Sequence, residues 1–337
     1  MAISNDLLSS TLYSIRDGEV DELFQKVAFL DNAKRYNGIE YEDGGIKIQR
    51  PLSIAEHSQI TNLPTGYESV NLAVKDVLQP AIYEWSDFTA PIVITKKEEL
   101  ENKGEKAIVK IVEARMRSVM GMLRRELNKQ LLRGNSTILT TVNSLNGDST
   151  VEGFLEARTK ATQVRTVGGI SKQTYPVNGW LNQFADVGGA FGTDGIRLMQ
   201  QMAIQANTVT HMGEIQCVLL SESAMANYRR ALFQQERYIN EKTLDGGRMQ
   251  LAFGGAVVEQ DLELGYTDAD GSVISGYFLN FDGVKLCMHK DADFAVSPFE
   301  HISGTTARAA QLYVKMQMIA DHLGSCGVLA NADTYGT

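Results

Sequence analysis

An α+β fold is predicted from three observations. A capped helix of unusual length runs over 105–133. An alternating strand near 310–320 is long enough to serve as a second layer against it. Between them, from 192 onward, helical and strand patterns alternate.

Residues 4–16 place Leu8, Leu12 and Ile15 on one helical face. Asp17 can cap a second helix, 19–35, carrying Val20, Leu23, Phe24, Val27 and Leu30. Two short amphipathic helices cannot bury their apolar faces alone, so they must dock on the body or on a neighbour. Asp43-Gly44-Gly45 is a turn signal between two short strands, Gly38–Glu42 and Ile46–Arg50. Pro51, Pro64 and Pro91 exclude helix interiors. The stretch 46–72 is polar and extended, with few large apolar groups, and reads as a two-stranded projection. A lone hairpin is marginal in water, so a projection of this kind implies a partner surface.

Ile92-Val93-Ile94 leads into the helical region. Thr95 and Glu98 form a capping box, and Gly134 is a left-handed stop. Ile108, Val112, Met116, Val119, Leu123, Leu127 and Leu131 recur every three or four residues and form one stripe. Gly104 divides the region into helices over 96–103 and 105–133, the second spanning about 43 Å. Residues 135–176 read as loops with short strands. Thr193 or Asp194 caps a helix to about Val209, and a buried strand follows over 216–220. Ser221 caps the next helix, which carries Met225, Tyr228 and Leu232. Strands over 251–259 and 273–281 are separated by a hairpin turn at Asp268–Gly271. The last section is strand-rich, with a loop at Glu300–Ala307. Leu312, Val314, Met316 and Met318 then share one strand face.

The chain of 337 residues is 43% hydrophobic and 22% charged, with a net charge of −9. A wholly basic nucleic-acid binder is therefore excluded. Charge is uneven: 96–133 holds eleven Lys/Arg and six Asp/Glu, so the remainder carries −14. Pairs such as Glu99–Lys103 and Glu113–Arg117 give that helix a solvated face. Three cysteines, Cys217, Cys287 and Cys326, make no disulfide framework and fit a reducing cytoplasm. No signal peptide and no run of 18 apolar residues is present.

Chemical motifs are weak. Gly188–Gly195 precedes a helix, but Ile196-Arg197 stands where a phosphate loop needs Lys and Ser/Thr. Asp268-x-Asp270-Gly271 lacks a calcium loop's closing Glu, since residue 279 is Leu. Cys287-x-His289 and His322-x₃-Cys326 match no familiar zinc spacing. His57, His211 and His301 have no nucleophile signature beside them, and no Gly-x-Ser-x-Gly elbow exists. No catalytic residue, cofactor or metal ligand is expected, and the chain is not read as an enzyme.

The order of elements, rather than any motif, resembles the major capsid proteins of tailed bacteriophages, which have the Hong Kong 97 fold. The resemblance covers essentially the whole length. It rests on GGIKIQRPLSIAEHSQI with TGYESVNL, WSDFTAPIVIT, ELENKGEKAIVKIVEARM, VGGISKQTYPVNGW, FLNFDGVKLCMHKDADFAVSPFE and AQLYVKMQMIADHLGSCGVLAN, in that order. It implies an N-terminal arm over 1–37 and an extended β-hairpin loop over 38–80. A peripheral domain would hold the spine helix, 81–137, with its sheet and loop, 283–317. An axial α/β domain would span 138–282, with 318–337 returning to it as the C-terminal tail.

The resemblance further implies assembly contacts at Ile46, Lys47, Arg50, Ile54 and Tyr67 in the extended loop, and at Glu300, His301 and Arg308 around the peripheral loop. Lys110, Arg117 and Arg124 on the spine would meet DNA weakly. The expected function is a shell of hexamers and pentamers, icosahedral or prolate, around a double-stranded DNA genome. The expected place is the virion capsid, assembled in the host bacterial cytoplasm. Expected partners are other copies, a separate scaffolding protein, a portal, a decoration protein and packaged DNA without sequence specificity, with no membrane. Covalent chain-mail in this family needs a Lys and an Asn; Lys47 could serve, but 300–307 contains no Asn, so a non-covalent shell is expected. Two alternatives stand beside this: an encapsulin-like protein nanocompartment of the same fold, and an α/β enzyme with an unrecognised site.

Overall fold

The computed structural model describes residues 28–54, 60–62, 66–67, 69, 76–101, 105–136, 138–146, 152–155, 166–172, 174, 180–209, 214–233, 241–243, 249–268 and 271–336, with backbone alone at 99–101, 105–114, 209, 233, 241–243 and 249–250. The helix expected over 4–16, the first part of that over 19–35, the side chains of Ile108, Lys110 and Val112, the pairs Glu99–Lys103 and Glu113–Arg117, and His57 and His211 lie outside the described residues.

The first part of the chain forms α1 (Ala28–Arg35), β1 (Ile39–Glu42), β2 (Lys47–Ser53), β3 (Leu78–Glu84), β4 (Ser86–Thr95), α2 (Lys96–Glu101) and α3 (Glu105–Arg133). The middle forms β5 (Thr166–Val167), β6 (Ile170–Ser171), β7 (Gln183–Asp186), α4 (Ile196–Val209), β8 (Cys217–Leu220), α5 (Glu222–Phe233), β9 (Glu241–Thr243), β10 (Met249–Phe253) and β11 (Ala256–Gln260). The last part forms β12 (Tyr266–Thr267), β13 (Val273–Leu279), β14 (Val284–His289), β15 (Ala295–Val296), β16 (Glu300–His301), β17 (Ala307–Ala320) and β18 (Gly327–Ala330). No described helix is long and apolar enough to cross a membrane.

Two sheets organise these elements. A six-stranded sheet has the order β1-β14-β17-β15, with β4 and β16 also paired to β17. An eight-stranded sheet has the order β7-β18-β13-β8-β11-β10-β9, with β12 on β13.

Local chemistry sets the start of α2 and the end of the spine helix α3. Thr95 N donates to Glu98 Oε2 at 3.0 Å and Glu98 N donates to Thr95 Oγ1 at 3.4 Å, closing the capping box. Gly134 stops α3 at φ 68°, its N–H bonded to Gln130 O at 2.9 Å. Met116, Leu123, Leu127 and Leu131 are buried as the stripe requires. On β17, Ala310, Leu312, Val314 and Met316 are buried while Gln311 and Tyr313 are exposed. On β4, Ile92 and Ile94 are buried while Asp87, Thr89, Pro91 and Val93 are exposed. One face is therefore covered along these two strands; the other is open along β4 and the first part of β17, while Gln317 and Ile319 bury it toward the end of β17.

The eight-stranded sheet divides its core by the same alternation. Cys217 and Leu219 join the spine core, whereas Val218 and Leu220 face a second core under α4 and α5. Ser221 caps α5 through the Ala224 N–H at 3.2 Å, as expected. From α1, Asn32 Nδ2 donates to Glu259 Oε2 at 2.8 Å, and Phe29 packs on Phe281, so α1 docks on the body.

Four local expectations are corrected. Asp43–Gly45 does not close a hairpin: β1 adds in parallel to β14, while β2 pairs with β3. Gly44 and Gly45, at φ 149° and 112°, instead carry the chain from one sheet to another. The strand expected over 251–259 is two strands, with Phe253 opposite Ala256 across a Gly254-Gly255 turn at φ 56° and 96°. Two left-handed residues in a two-residue loop match the twist of the flanking strands. Neither Thr193 nor Asp194 caps α4. Both lie within a π-helical turn, Phe191–Gly195, that enters the helix. A Cβ on Gly195 would stand 2.6 Å from the buried Phe191 ring, so the wide turn closes only over a glycine. The hairpin into β13 comes from β12 and not from the strand expected over 251–259, with Gly271 N bonded to Asp268 O at 2.9 Å.

Candidate assembly surface

The β2–β3 hairpin has two unlike faces. Its register sets Lys47 opposite Glu84, Ile48 opposite Tyr83 and Arg50 opposite Ala81. Strand alternation then turns Ile48, Arg50, Leu52, Ala81 and Tyr83 to one side, and Lys47, Gln49, Leu78, Ile82 and Glu84 to the other.

The first side is fastened to its own subunit. Ile48, Ala81 and Tyr83 are buried. Tyr83 Oη donates to Ala320 O at 3.0 Å, and Ile82 N donates to Gly168 O at 3.0 Å. Burial pushes the Tyr83 phenol far above its ordinary pKa, so it stays a neutral donor. Arg50 Nη2 stands 2.5 Å from Glu40 Oε2 and 3.9 Å from Glu42 Oε1, and its Nε 3.8 Å from Asp321 Oδ1. Burial opposes the guanidinium charge, but Glu40 and Asp321 outweigh it and raise the Arg50 pKa.

The second side is open. Lys47 Nζ bonds Glu84 Oε1 at 2.7 Å, and that contact holds the Glu84 carboxyl below its usual range. Leu78 and Ile82 are exposed, and Ile46, Ile60 and Tyr67 are each more than 90% exposed. Large apolar side chains turned to water on the hairpin and in the segments around it mark an interaction surface.

The expected contact residues divide accordingly. Ile46, Lys47 and Tyr67 are on the open surface. Ile54 is only 5% exposed and belongs to the subunit's own core, and Arg50 faces inward. Leu78, Ile82 and Ile60 were not singled out. Alternation in Leu78–Glu84 was the signal for the first two, hidden by Pro80 at the centre of the strand. Glu300, His301 and Arg308 are brought together: β16 folds back on β17, pairing His301 with Arg308 and Glu300 with Ala309. The loop between is a tight hairpin, with Ile302 N bonded to Ala307 O at 3.0 Å. Arg117 is exposed on the spine and Arg124 half-buried.

Elsewhere the chemistry is structural. Cys217, Cys287 and Cys326 are buried free thiols. Among the described residues no group of three His, Cys, Asp or Glu could hold a metal ion. Gly188–Gly195 is packed on the C-terminal segment, with Phe191 N bonded to Thr334 O and Gly192 N to Tyr335 O. A cleft of about 520 Å³ between α4, α5 and the β10–β11 turn is lined mainly by apolar groups, among them Ile204, Ile215, Leu232 and Phe253.

A long spine helix, a six-stranded sheet, an eight-stranded α/β unit and a two-faced hairpin together make the Hong Kong 97-type capsid fold. The chain is similar to a subunit of the cyanophage A-1(L) capsid asymmetric unit, with a TM-score of 0.59 and 16% identity over 89% of this chain and 90% of that one. A capsid chain of an empty GTA particle matches with a TM-score of 0.57 and 8% identity, covering 89% of each. A chain of the holo-SrpI encapsulin complex of Synechococcus elongatus matches at 0.55 and 11%, covering 89% and 87%. No family model and no curated protein matches the sequence.

Proposed function

We propose that this chain is the major capsid protein of a tailed double-stranded DNA bacteriophage. It assembles as hexamers and pentamers into a closed shell, icosahedral or prolate, that forms the virion capsid. The observation that carries this reading is the two-faced hairpin. One face is locked to its own subunit; the other holds Leu78 and Ile82 in water, and Ile46, Ile60 and Tyr67 are exposed in the segments next to and between its strands. An isolated subunit gains nothing from that exposure, and a neighbour that covers it converts it into association free energy. Repeated around a shell, many modest contacts add through multivalency.

The hairpin root and the spine helix lie on opposite sides of the six-stranded sheet. Register sets Glu40, Cys287 and Gln317 on one line, alternate to Leu312, Val314 and Met316. Arg50 binds on the Glu40 side, and the spine covers the other. With the hairpin over a neighbour on the outer surface, the spine faces the enclosed volume. Lys110, Arg117 and Arg124 then meet packaged DNA weakly and without sequence readout. Assembly uses a separate scaffolding protein and a portal, a decoration protein binds the outside, and the shell is non-covalent.

Negative-stain electron microscopy of the purified protein tests the reading. Closed shells, or five- and six-membered rings, support it. Small discrete particles that persist after a scaffold candidate is added overturn it. The likeness to an encapsulin complex supports one second reading, a protein-filled compartment. Nucleic acid in native particles decides for the capsid, and a protein cargo decides for the compartment.

A further inference from the structure

The root of the β2–β3 hairpin meets the six-stranded sheet through charge. Arg50 reaches Glu40 and Glu42 on β1 and Asp321 beyond β17. Lys285 on β14 closes the group, 3.8 Å from Glu40 Oε2 and 3.4 Å from Asp321 Oδ2. The Cys287 thiol, buried on β14, faces the same guanidinium. Three carboxylates and two cations from four separate segments thus converge under one side chain of the hairpin.

We propose that Arg50 sets the direction in which the hairpin leaves the subunit, and through that direction the curvature of the shell. The second half of this statement rests on the capsid reading; the first does not. The apolar contacts at the root, Ile48 and the Tyr83–Phe154 ring pair at 5.9 Å, resist detachment but are non-directional. The guanidinium sits between the carboxylates of β1 and that of Asp321 beyond β17, so a shift toward either weakens its ion pair with the other. Desolvation offsets much of the stability that half-buried ion pairs of this kind would otherwise add.

Arg50 is the fourth of the seven residues of β2, so about 10 Å of the strand lies beyond it. A rotation of about 10° there moves the end of β2 by roughly 2 Å, whereas a gap of even 0.5–1 Å forfeits about a quarter to a half of a van der Waals contact. Small errors of direction therefore decide which neighbour geometry the open face of the hairpin can meet. Arg50 acts through the hairpin and is a positioning residue.

The test compares wild type with Arg50→Met and Arg50→Lys in two measurements. Hydrogen exchange is read on the soluble, unassembled protein. Arg50→Met should speed exchange of the β2 and β3 amides at least tenfold, leave those of β17 unchanged, and broaden the shell diameter where wild type is uniform. Arg50→Lys, which keeps the charge and loses the fork, should fall between. Hairpin exchange equal to wild type overturns the proposal, whatever the shells look like. Altered exchange with shells of unchanged diameter overturns its link to curvature. Altered exchange in a protein that never forms shells overturns the capsid reading and leaves the positioning role intact. Should Arg50→Met fail to fold, Glu40→Gln and Asp321→Asn each remove one contact and are read in the same way.

Discussion

Gln317 Nε2 donates a hydrogen bond of 2.7 Å to the Glu84 carbonyl, joining the longest strand of the six-stranded sheet to the end of the projecting hairpin. The same side chain accepts from Asn143 N at 2.8 Å and donates to Thr141 O at 3.2 Å. One buried amide therefore satisfies three backbone groups, one on β3 and two in the loop after the spine. Gln317→Leu strands all three, and each buried polar group left without a partner costs about 1–3 kcal/mol. Chemical denaturation of the unassembled subunit should show a loss of roughly 3 kcal/mol. A loss under about 0.5 kcal/mol, the range of a neutral surface change, would show that water replaces the amide.

The outer edge of β4 is closed by three separate devices. Pro91 has no N–H, the Val93 carbonyl accepts from Arg115, and Thr95 N donates to Glu98. Arg115, with the Thr95 contacts, holds the Glu98 carboxyl down to about 2. A depressed carboxylate contributes stability above its unfolded pKa, near 4.5, and loses it as pH falls toward 2. Glu98→Gln should lower the melting temperature at pH 7 and converge with wild type near pH 2. A difference that persists at pH 2 would assign the effect to packing instead of charge.

Ile82 and Leu78 are exposed on the open face of the hairpin, so replacing them leaves the subunit's own core intact. The double variant Ile82→Lys and Leu78→Lys should keep its unfolding free energy within about 0.5 kcal/mol. Assembly should fall severely, read as the yield of shells by sedimentation. Wild-type yield would remove this face from the interface.

Gly168 sits at φ 58°, and a Cβ there would stand 2.8 Å from the Ala81 side chain. Gly168→Ala combines backbone strain with a clash against the hairpin root and should cost about 1–3 kcal/mol. Exchange of the Ile82 amide, bonded to Gly168 O, should rise more than that of β13. Uniform acceleration across both sheets would point to general loosening.

Much of the fold was legible because its causes are local. The capping box at Thr95, the stop at Gly134, the Ser221 cap and the stripe from Met116 to Leu131 depend on residues three or four apart. The Gly254-Gly255 turn was equally local, but hydrophobic residues on both sides disguised two strands as one. The candidate surface was only partly legible. Ile54 and Tyr67 are both large hydrophobics in the same polar stretch, yet one is in the core and the other in water.

The sequence by itself determined where α3 begins and ends, where α5 begins, and which sides of α3 and β17 are apolar. Only the tertiary structure decided that β1 would join β14, that β4 would lie beside β17, and that Arg50 would turn inward while Lys47 turned out. The physical reason is the range of the interactions. A helix hydrogen-bonds within itself, so its limits are written in neighbouring residues. A strand satisfies its backbone only on a partner, and Thr95 finds Ala307 across more than two hundred residues. Which side chain of an alternating strand meets the body follows from that distant choice of partner, since a shift of one residue exchanges the two faces.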